Sequence, residues 1–229
     1  NSIQDLVDQL SVVSFRLRYL DPVTTFIESS TFFQFNPKLT TLSLNSITDS
    51  VNTIVRDYFD NSTGKFSEAF RRSNVLTLVD EVSPAVLSSR MEVKMQQRIT
   101  PRLDAQNDFT LRFPTSIQAA DDKNFIVDSS AFNISNRSAK LRNKLNSNKL
   151  QVVTLDGDTV IIDNVGSFDP ASGVVSLVGF KPSSIIGGVN YIKVKAIPAN
   201  QSAIAPLRED ILEYDEGPSF ASAVVVESV

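Results

Sequence analysis

The stretch that decides the predicted fold runs from Ser43 to Phe59 and reads SLNSITDSVNTIVRDYF. Its apolar side chains recur at the spacing of one helix face, and polar residues occupy the opposite face. The apolar set consists of Ile47, Val51, Ile54, Val55 and Tyr58. This pattern predicts an amphipathic helix that buries one face in a core.

The residues around this helix extend the prediction to a small module. Turn formers at 61–64 end the helix, and a second, less regular apolar stripe at 66–82 predicts another helix that Pro84 closes. A short helix at 3–10, a strand at 13–19, extended segments at 23–28 and 31–35, and a strand at 90–99 complete the module. We therefore predict a ferredoxin-like α/β sandwich over residues 1–100, with helices near 43–59 and 66–82 on a small sheet.

Beyond Pro101 the helical period gives way to short alternating runs typical of strands. These runs are 109–113, 125–133, 150–155, 159–165, 174–180, 191–197 and 223–227. Asp156-Gly157 and the segment Asp169–Gly173 carry the signals of tight turns. The predicted fold class is thus α+β, with the α/β module followed by a mostly antiparallel β domain over residues 101–229 and a boundary near Thr100-Pro101.

Composition excludes several kinds of function. The 229 residues include no histidine and no cysteine, which removes Ser-His-Asp and Cys-His nucleophile pairs and the commonest transition-metal ligands. A net charge of −4 argues against a nucleic-acid partner, because binding phosphates needs a basic surface. No apolar run approaches the roughly 18 to 20 residues needed to cross a bilayer.

Three clusters of charged residues are candidate functional sites. The first comprises Asp156, Asp158, Asp163 and Asp169, whose spacing does not follow the EF-hand loop and favours turn formation. The second comprises Glu209, Asp210, Glu213, Asp215 and Glu216, which form either a solvated or a partner-facing acidic segment. The third is a basic stretch, Arg137, Lys140, Arg142, Lys144 and Lys149, interpreted as a solvated face, with contact to an acidic partner surface or to nucleic acid as the alternative. We predict no catalytic, cofactor-binding or metal-ligating residues.

Four segments resemble a known family. They are FNPKLTTLS at 35–43, GKFSEAFRRS at 64–73, the stretch 86–101 with its MQQRITP ending, and PANQSAIAPLREDIL at 198–212. In these segments the chain is similar to the baseplate wedge protein of T-even-type contractile-tailed bacteriophages. A weaker resemblance extends to the wider baseplate J-like group.

The resemblance implies a non-enzymatic virion component. Such a protein forms the inner ring of the tail baseplate by self-association and by binding other wedge subunits. It has no cofactor, small-molecule substrate, nucleic acid or membrane as partner, and it is made in the host bacterial cytoplasm. The resemblance also implies that this chain is the C-terminal part of a longer protein. We predict a partner interface at Leu207, Arg208, Ile211, Leu212 and Tyr214, where apolar side chains accompany charges.

Two other functions remain open from the sequence. The β-rich second half with its polar loops also fits a receptor- or glycan-binding module of a tail or surface appendage, although tryptophan, a preferred stacking platform for sugars, is absent. A carboxylate-dependent hydrolase would rest only on the acids between Glu209 and Glu216, and nothing in the sequence sets their separation.

Overall fold

A computed structural model describes residues 23–66, 68–207 and 210–226. The helix predicted at 3–10 and the strand predicted at 13–19 lie outside these residues. The first described element is a long strand, β1 (Val23–Phe35), whose side chains alternate between two faces of the sheet. Its odd-numbered residues from Thr25 to Phe35 are all buried, so this face of β1 belongs to the core.

The predicted helix at 43–59 is confirmed as α1 (Leu44–Ser62). Ser43 caps its start, because the Ser43 side chain accepts a hydrogen bond of 3.2 Å from the backbone N–H of Ser46. Ile47, Val51 and Val55 are buried as the spacing indicates, whereas Ile54 is half-buried. A single 3-10 turn (Pro37–Leu39) links β1 to this region.

The second predicted helix is shorter than expected. Strand β2 (Phe70–Arg71) precedes it, helix α2 runs over Arg72–Asp80, and strand β3 (Val86–Ile99) follows. The helix begins late because Phe70 is buried and extended, paired with a strand from the other end of the chain. A tertiary contact therefore overrides the local apolar pattern at residues 66–71.

The remaining described elements are all strands. They are β4 (Asn107–Arg112), β5 (Val127–Ser129), β6 (Phe132–Ile134), β7 (Arg137–Asn143), β8 (Lys149–Thr154), β9 (Val160–Asp169), β10 (Val174–Phe180), β11 (Ser184–Ile185), β12 (Ile192–Ala196), β13 (Ala203–Ile204), β14 (Asp210–Tyr214) and β15 (Phe220–Val225). The loop Asp169–Gly173 joins β9 to β10, with the Gly173 N–H donating to the Asp169 carbonyl at 3.0 Å. This confirms the turn predicted there.

One mixed sheet holds thirteen of the strands in the described part of the chain, in the path β14-β1-β3-β12-β5-β7-β8-β9-β10-β4. Strand β1 lies against β3 on one side, in antiparallel register. On its other side it pairs in parallel with β14 along its first half and with β15 along its second half. Helix α1 contacts β14 and β15, and helix α2 contacts β3, so both helices cover the same face.

The predicted ferredoxin-like α/β sandwich is wrong. Counted over the described residues, the structure is 46% strand and 15% helix, with two α-helices and one large mixed sheet. The prediction assumed that neighbouring strands in the sequence build a small local sheet. Instead, the strands beside β1 and β3 come from residues 192–225, and such long-range pairing leaves no local pattern in the sequence.

The predicted domain boundary near Thr100-Pro101 stays a prediction. Strand β3 ends at Ile99 and pairs with β12 along Ile192–Ala196, so the sheet is continuous between residues from both sides of that position. Strands from β4 to β10 pair with one another in antiparallel fashion in the second half of the chain.

Candidate assembly surfaces

The late segment predicted as a partner interface is mostly built into this chain. Leu212 is fully buried, and Ile211 and Tyr214 are half-buried, because β14 pairs with β1 beneath α1. Leu207 is 42% exposed and lines a cavity of about 730 Å³ together with Phe26 and Arg98. Arg208 lies outside the described residues. The structure therefore separates Leu207 from the other described members, which pack inward.

An aromatic cluster ties this late segment to the helix. The Phe59 ring stacks on Tyr214 with 4.3 Å between ring centroids and on Phe70 with 5.4 Å. Tyr58 packs edge-on against Phe59, and its hydroxyl accepts a hydrogen bond of 3.2 Å from the Arg71 N–H. Aromatic pairs contribute about 0.5–1.5 kcal/mol each beyond their burial. The cluster thus joins α1, β2 and β14, which are distant in sequence.

Gly64 closes the outer edge of β14. Its φ of +94° lies in the region that favours glycine, and its N–H donates a hydrogen bond of 2.8 Å to the Leu212 carbonyl. The chain that leaves α1 therefore covers β14 at the point where a sheet edge would otherwise be open.

The edge formed by β15 is different, because no strand in the described part of the chain pairs with its outer side. Among the strands in the described residues, β15 pairs with β1 alone, so the backbone groups on its outward side have no strand partner. Phe220 is 47% exposed and Val224 is 62% exposed. Residues 217–226 contain no charged side chain. Natural sheets usually protect an open edge with charges, proline or a covering loop, and β15 itself carries none of these.

The open edge continues onto an apolar patch on the helix-free face of the sheet. Phe220 packs edge-on against Phe32, with 5.9 Å between ring centroids. The Arg90 guanidinium lies over the same Phe32 ring, 4.1 Å from its centroid. Val224 lines a shallow groove of about 200 Å³ with Phe32 and Arg90. We call β15 and this patch, made of Phe32, Phe220 and Val224, the open edge.

The opposite end of the sheet carries charges. Strand β4 pairs with β10 alone among the strands of the described chain, and it includes Asp108 and Arg112. Asp108 accepts a hydrogen bond of 2.7 Å from the Gly179 N–H, and the Arg112 carbonyl accepts one of 2.7 Å from the Gln97 side chain. This edge therefore has the charged protection that β15 lacks.

A charged ladder crosses the helix-free face where β1, β3, β12 and β5 lie side by side. Lys195 lies 3.3 Å from Asp128 and 3.8 Å from Glu28, measured between Nζ and carboxylate oxygens. Lys94 pairs with Asp128 at 3.0 Å. At one end of the ladder, Asp215 pairs with Lys193 at 2.5 Å and with Arg98 at 3.4 Å. Because the residues come from several strands, the ladder fixes their register.

Burial and neighbouring charges shift the pKa of two ladder residues. Burial raises the pKa of Glu28; Lys195 opposes this, and Asp128 and Asp215 add to it. Burial also disfavours the charged form of Lys195, but Asp128 and Glu28 outweigh it and raise the pKa of that ammonium. The Arg98 guanidinium is held between two rings, 3.5 Å from the Phe26 centroid and 4.6 Å from the Tyr191 centroid.

Two acids of the first charged cluster pair with three basic residues of the third. Arg142 contacts Asp158 at 2.8 Å and Lys140 contacts it at 3.3 Å, and these hydrogen bonds lower the pKa of Asp158. Lys144 pairs with Asp163 at 2.7 Å. This pairing leaves no signal in the sequence, because it depends on β7, β8 and β9 lying side by side.

The acid-rich segment near the end of the chain is also dispersed. Asp215 belongs to the charged ladder, and Glu216 lies 3.4 Å from Arg56 at the surface. Glu209 lies outside the described residues. Among the described residues there is no group of three or more acids placed to hold a metal ion. In the same residues, no helix is long and apolar enough to cross a membrane.

One family model matches part of the chain. Residues 23–98, about a third of the chain, match the family described as baseplate structural protein gp6, C-terminal domain III. No curated protein matches the chain. The match covers β1 to β3 with both helices, and it supports a structural role in a phage tail baseplate.

The matched region contains two of the motifs that carried the resemblance. In the first, the Asn36 side chain accepts a hydrogen bond of 2.9 Å from the Lys38 N–H and starts the 3-10 turn, while the Asn36 N–H donates to the Ala85 carbonyl at 2.9 Å. In the second, Gly64 contacts β14 and Phe70 enters the aromatic cluster. These residues shape the fold.

Proposed function

We propose that this chain is a non-enzymatic subunit of a phage baseplate wedge, and that it builds the inner ring of the baseplate by self-association and by contacts with other wedge subunits. The observation that carries the proposal is the match of residues 23–98 to a baseplate structural protein family. The location that follows is the tail of the virion, after synthesis in the host bacterial cytoplasm. The baseplate J-like relationship belongs to the same proposal.

Three features of the molecule support a role in assembly. The late strands β14 and β15 close onto β1, and the aromatic cluster connects them to α1. The residues of the charged ladder and those around Asp158 have partners of opposite charge within the chain. The open edge remains as an uncharged surface with exposed apolar side chains. A stiff subunit with such an edge suits a symmetric assembly.

The predicted interface around Leu207 stays part of this proposal in a narrower form. Leu207 is the most exposed of its described members, and it lines the cavity beside β1 and β4. We propose that Leu207, with Arg208, contacts another wedge subunit, while Ile211, Leu212 and Tyr214 hold β14 in place for that contact.

Light scattering over a concentration series tests self-association. We expect the measured mass to rise from that of one 25.2 kDa chain towards a dimer or ring. A strictly monomeric chain at all concentrations would contradict self-association by this chain alone.

Location is tested separately in phage particles. A small epitope tag on this chain, detected with gold-labelled antibody by electron microscopy, should mark the baseplate end of the tail. Label on the capsid, or tagged protein that never enters particles, would contradict the baseplate role.

A further inference from the structure

The open edge of β15 fits a second copy of this chain. Resting on the proposed function, we infer that β15 of one copy pairs in antiparallel fashion with β15 of another, joining two sheets across a twofold axis that passes beside Ser222. Pairing of this kind satisfies the outward backbone groups of both strands at once.

Charge favours a second copy as the occupant. Identical surfaces meet in a twofold interface, so any charge on the edge would face its own kind. Residues 217–226 carry none, whereas the β4 edge includes Asp108 and Arg112. A basic side chain near β15 on the helix-free face is Arg90, whose guanidinium lies over the Phe32 ring of β1. Two such guanidinium groups would be separated by three strand spacings, about 14 Å, which exceeds the roughly 10 Å screening length at 0.1 M salt.

Symmetry then selects the register. A twofold axis perpendicular to the sheet keeps each face on the same side in both copies, so residues directly opposite each other point to the same face. With Ser222 opposite itself, Phe220 faces Val224 and Ala221 faces Ala223 of the other copy. This register places the exposed Phe220 and Val224 against each other on the helix-free face. On the face that α1 covers, it places Ala221 opposite Ala223 and the exposed Val225 opposite Ser219. Apolar cross-strand pairs of this kind are the unit of sheet stabilisation.

Like charges placed at the axis test this register. Ser222→Lys puts two ammonium groups directly opposite each other, and we expect the dimer dissociation constant to rise about tenfold or more. Ser222→Asp should act in the same way. An equimolar mixture of the two variants should restore the dimer, because lysine then faces aspartate. Gln106→Lys, at an exposed position just before β4, is the control and should leave the dimer unchanged.

A covalent test exploits the absence of cysteine from the chain. In Ser222→Cys the two cysteines lie opposite each other, and their Cα atoms have the separation of paired strands, about 4.5–5.5 Å. A disulfide bond spans this Cα separation. Mild oxidation should convert this variant into a covalent dimer, whereas Gln106→Cys should remain monomeric under denaturing electrophoresis.

The outcomes separate this inference from the proposed function. If wild type dimerises but Ser222→Lys dimerises equally well and Ser222→Cys does not cross-link, β15 pairing is overturned and self-association uses another surface. If wild type is monomeric, pairing with a second copy is overturned, while gold labelling at the baseplate would leave the structural role intact. The thermal unfolding of the Ser222 variants should match that of wild type, which excludes misfolding as the cause of a lost dimer.

Discussion

The two faces of the sheet at β1 and β3 are built from opposite kinds of side chain. On the face beneath the helices, β3 presents Met91, Val93 and Met95, all buried, opposite residues of β1 such as Ile27. On the other face, the same strand presents Glu92, Lys94 and Arg98. The alternation of apolar and charged residues along β3 produces both faces from a single strand.

Different parts of the chain cover the two faces. The apolar face is covered by α1 and α2, which come from the segment between β1 and β3. The charged face has partners from β12, β5 and the residue after β14, namely Lys195, Asp128 and Asp215. Burial stabilises the first face, and mutual pairing of charges keeps the second from destabilising the fold.

The largest effect is expected on the apolar face. Val51→Asp places an unpaired carboxylate among fully buried side chains of α1, and we expect a loss of about 4 kcal/mol or more in the free energy of unfolding. Urea unfolding followed by circular dichroism measures it. Asn52→Asp, at the exposed neighbouring position, introduces the same group and should change stability by about 0.5 kcal/mol or less. Equal losses in both variants would contradict the packing of α1.

A second variant weakens the same face at the aromatic cluster. Phe59→Ala removes the ring between Tyr214 and Phe70, and we expect a loss of about 3–5 kcal/mol. Phe66→Ala is the control, because Phe66 is exposed in the turn after α1. Hydrogen exchange should also accelerate in β14 of the Phe59 variant, since β14 packs on that ring. A protected β14 would mean that the cluster does not hold it.

The charged face is expected to respond less. Lys195→Met removes the ammonium between Glu28 and Asp128, and we expect a loss of about 2 kcal/mol, because the side chains are partly solvated. Combining it with Glu28→Gln should recover part of the loss, which a double-mutant cycle measures. Lys181→Met, at an exposed lysine, is the control. Strict additivity of the two changes would show that Lys195 and Glu28 are not coupled.

The smallest expected effect is a pH dependence from Glu28. Its pKa is raised above the ordinary value of 4.5, so between that value and the raised one the folded state binds more protons than the unfolded state. This contribution therefore lowers stability as pH rises through that window. Relative to wild type, Glu28→Gln should gain stability with rising pH over the same window. Denaturant unfolding at several pH values measures the difference, and Glu92→Gln, exposed on the same face, controls for net charge. A pH-independent difference would contradict the shift.

Much of the local structure was predictable, because it follows from short-range periodicity. The spacing of Ile47, Val51 and Val55 predicted α1, and the run at 174–180 coincides with β10. Strand β7 was missed because its charged residues Arg137, Lys140 and Arg142 indicated a solvated face, although Ala139 and Leu141 alternate inside it and are buried. The second helix was placed too early for the reason given above, the pairing of Phe70 with β13.

The surfaces were harder to predict. The sequence drew attention to Leu207–Tyr214 as an apolar segment with charges, but the pattern does not tell an outward contact from an inward strand, and Leu212 is fully buried. The sequence contains one indication of the open edge, which is the absence of charged residues at 217–226. This absence indicates an unprotected edge only when β15 is known to lie at the edge of the sheet.

The sequence by itself determined the local elements and the alternation of β1 and β3, because these depend on the preferences of neighbouring residues and on fixed periods. The resemblance of four of its segments to a known family also indicated a baseplate protein. Only the tertiary structure decided that β14 and β15 pair with β1, that Asp158 meets Arg142, and that β15 lies at an edge of the sheet formed by the described strands. The physical reason is that these contacts join residues from about 16 to nearly 200 positions apart, and their free energy arises from burial and pairing that exist only when the chain is folded.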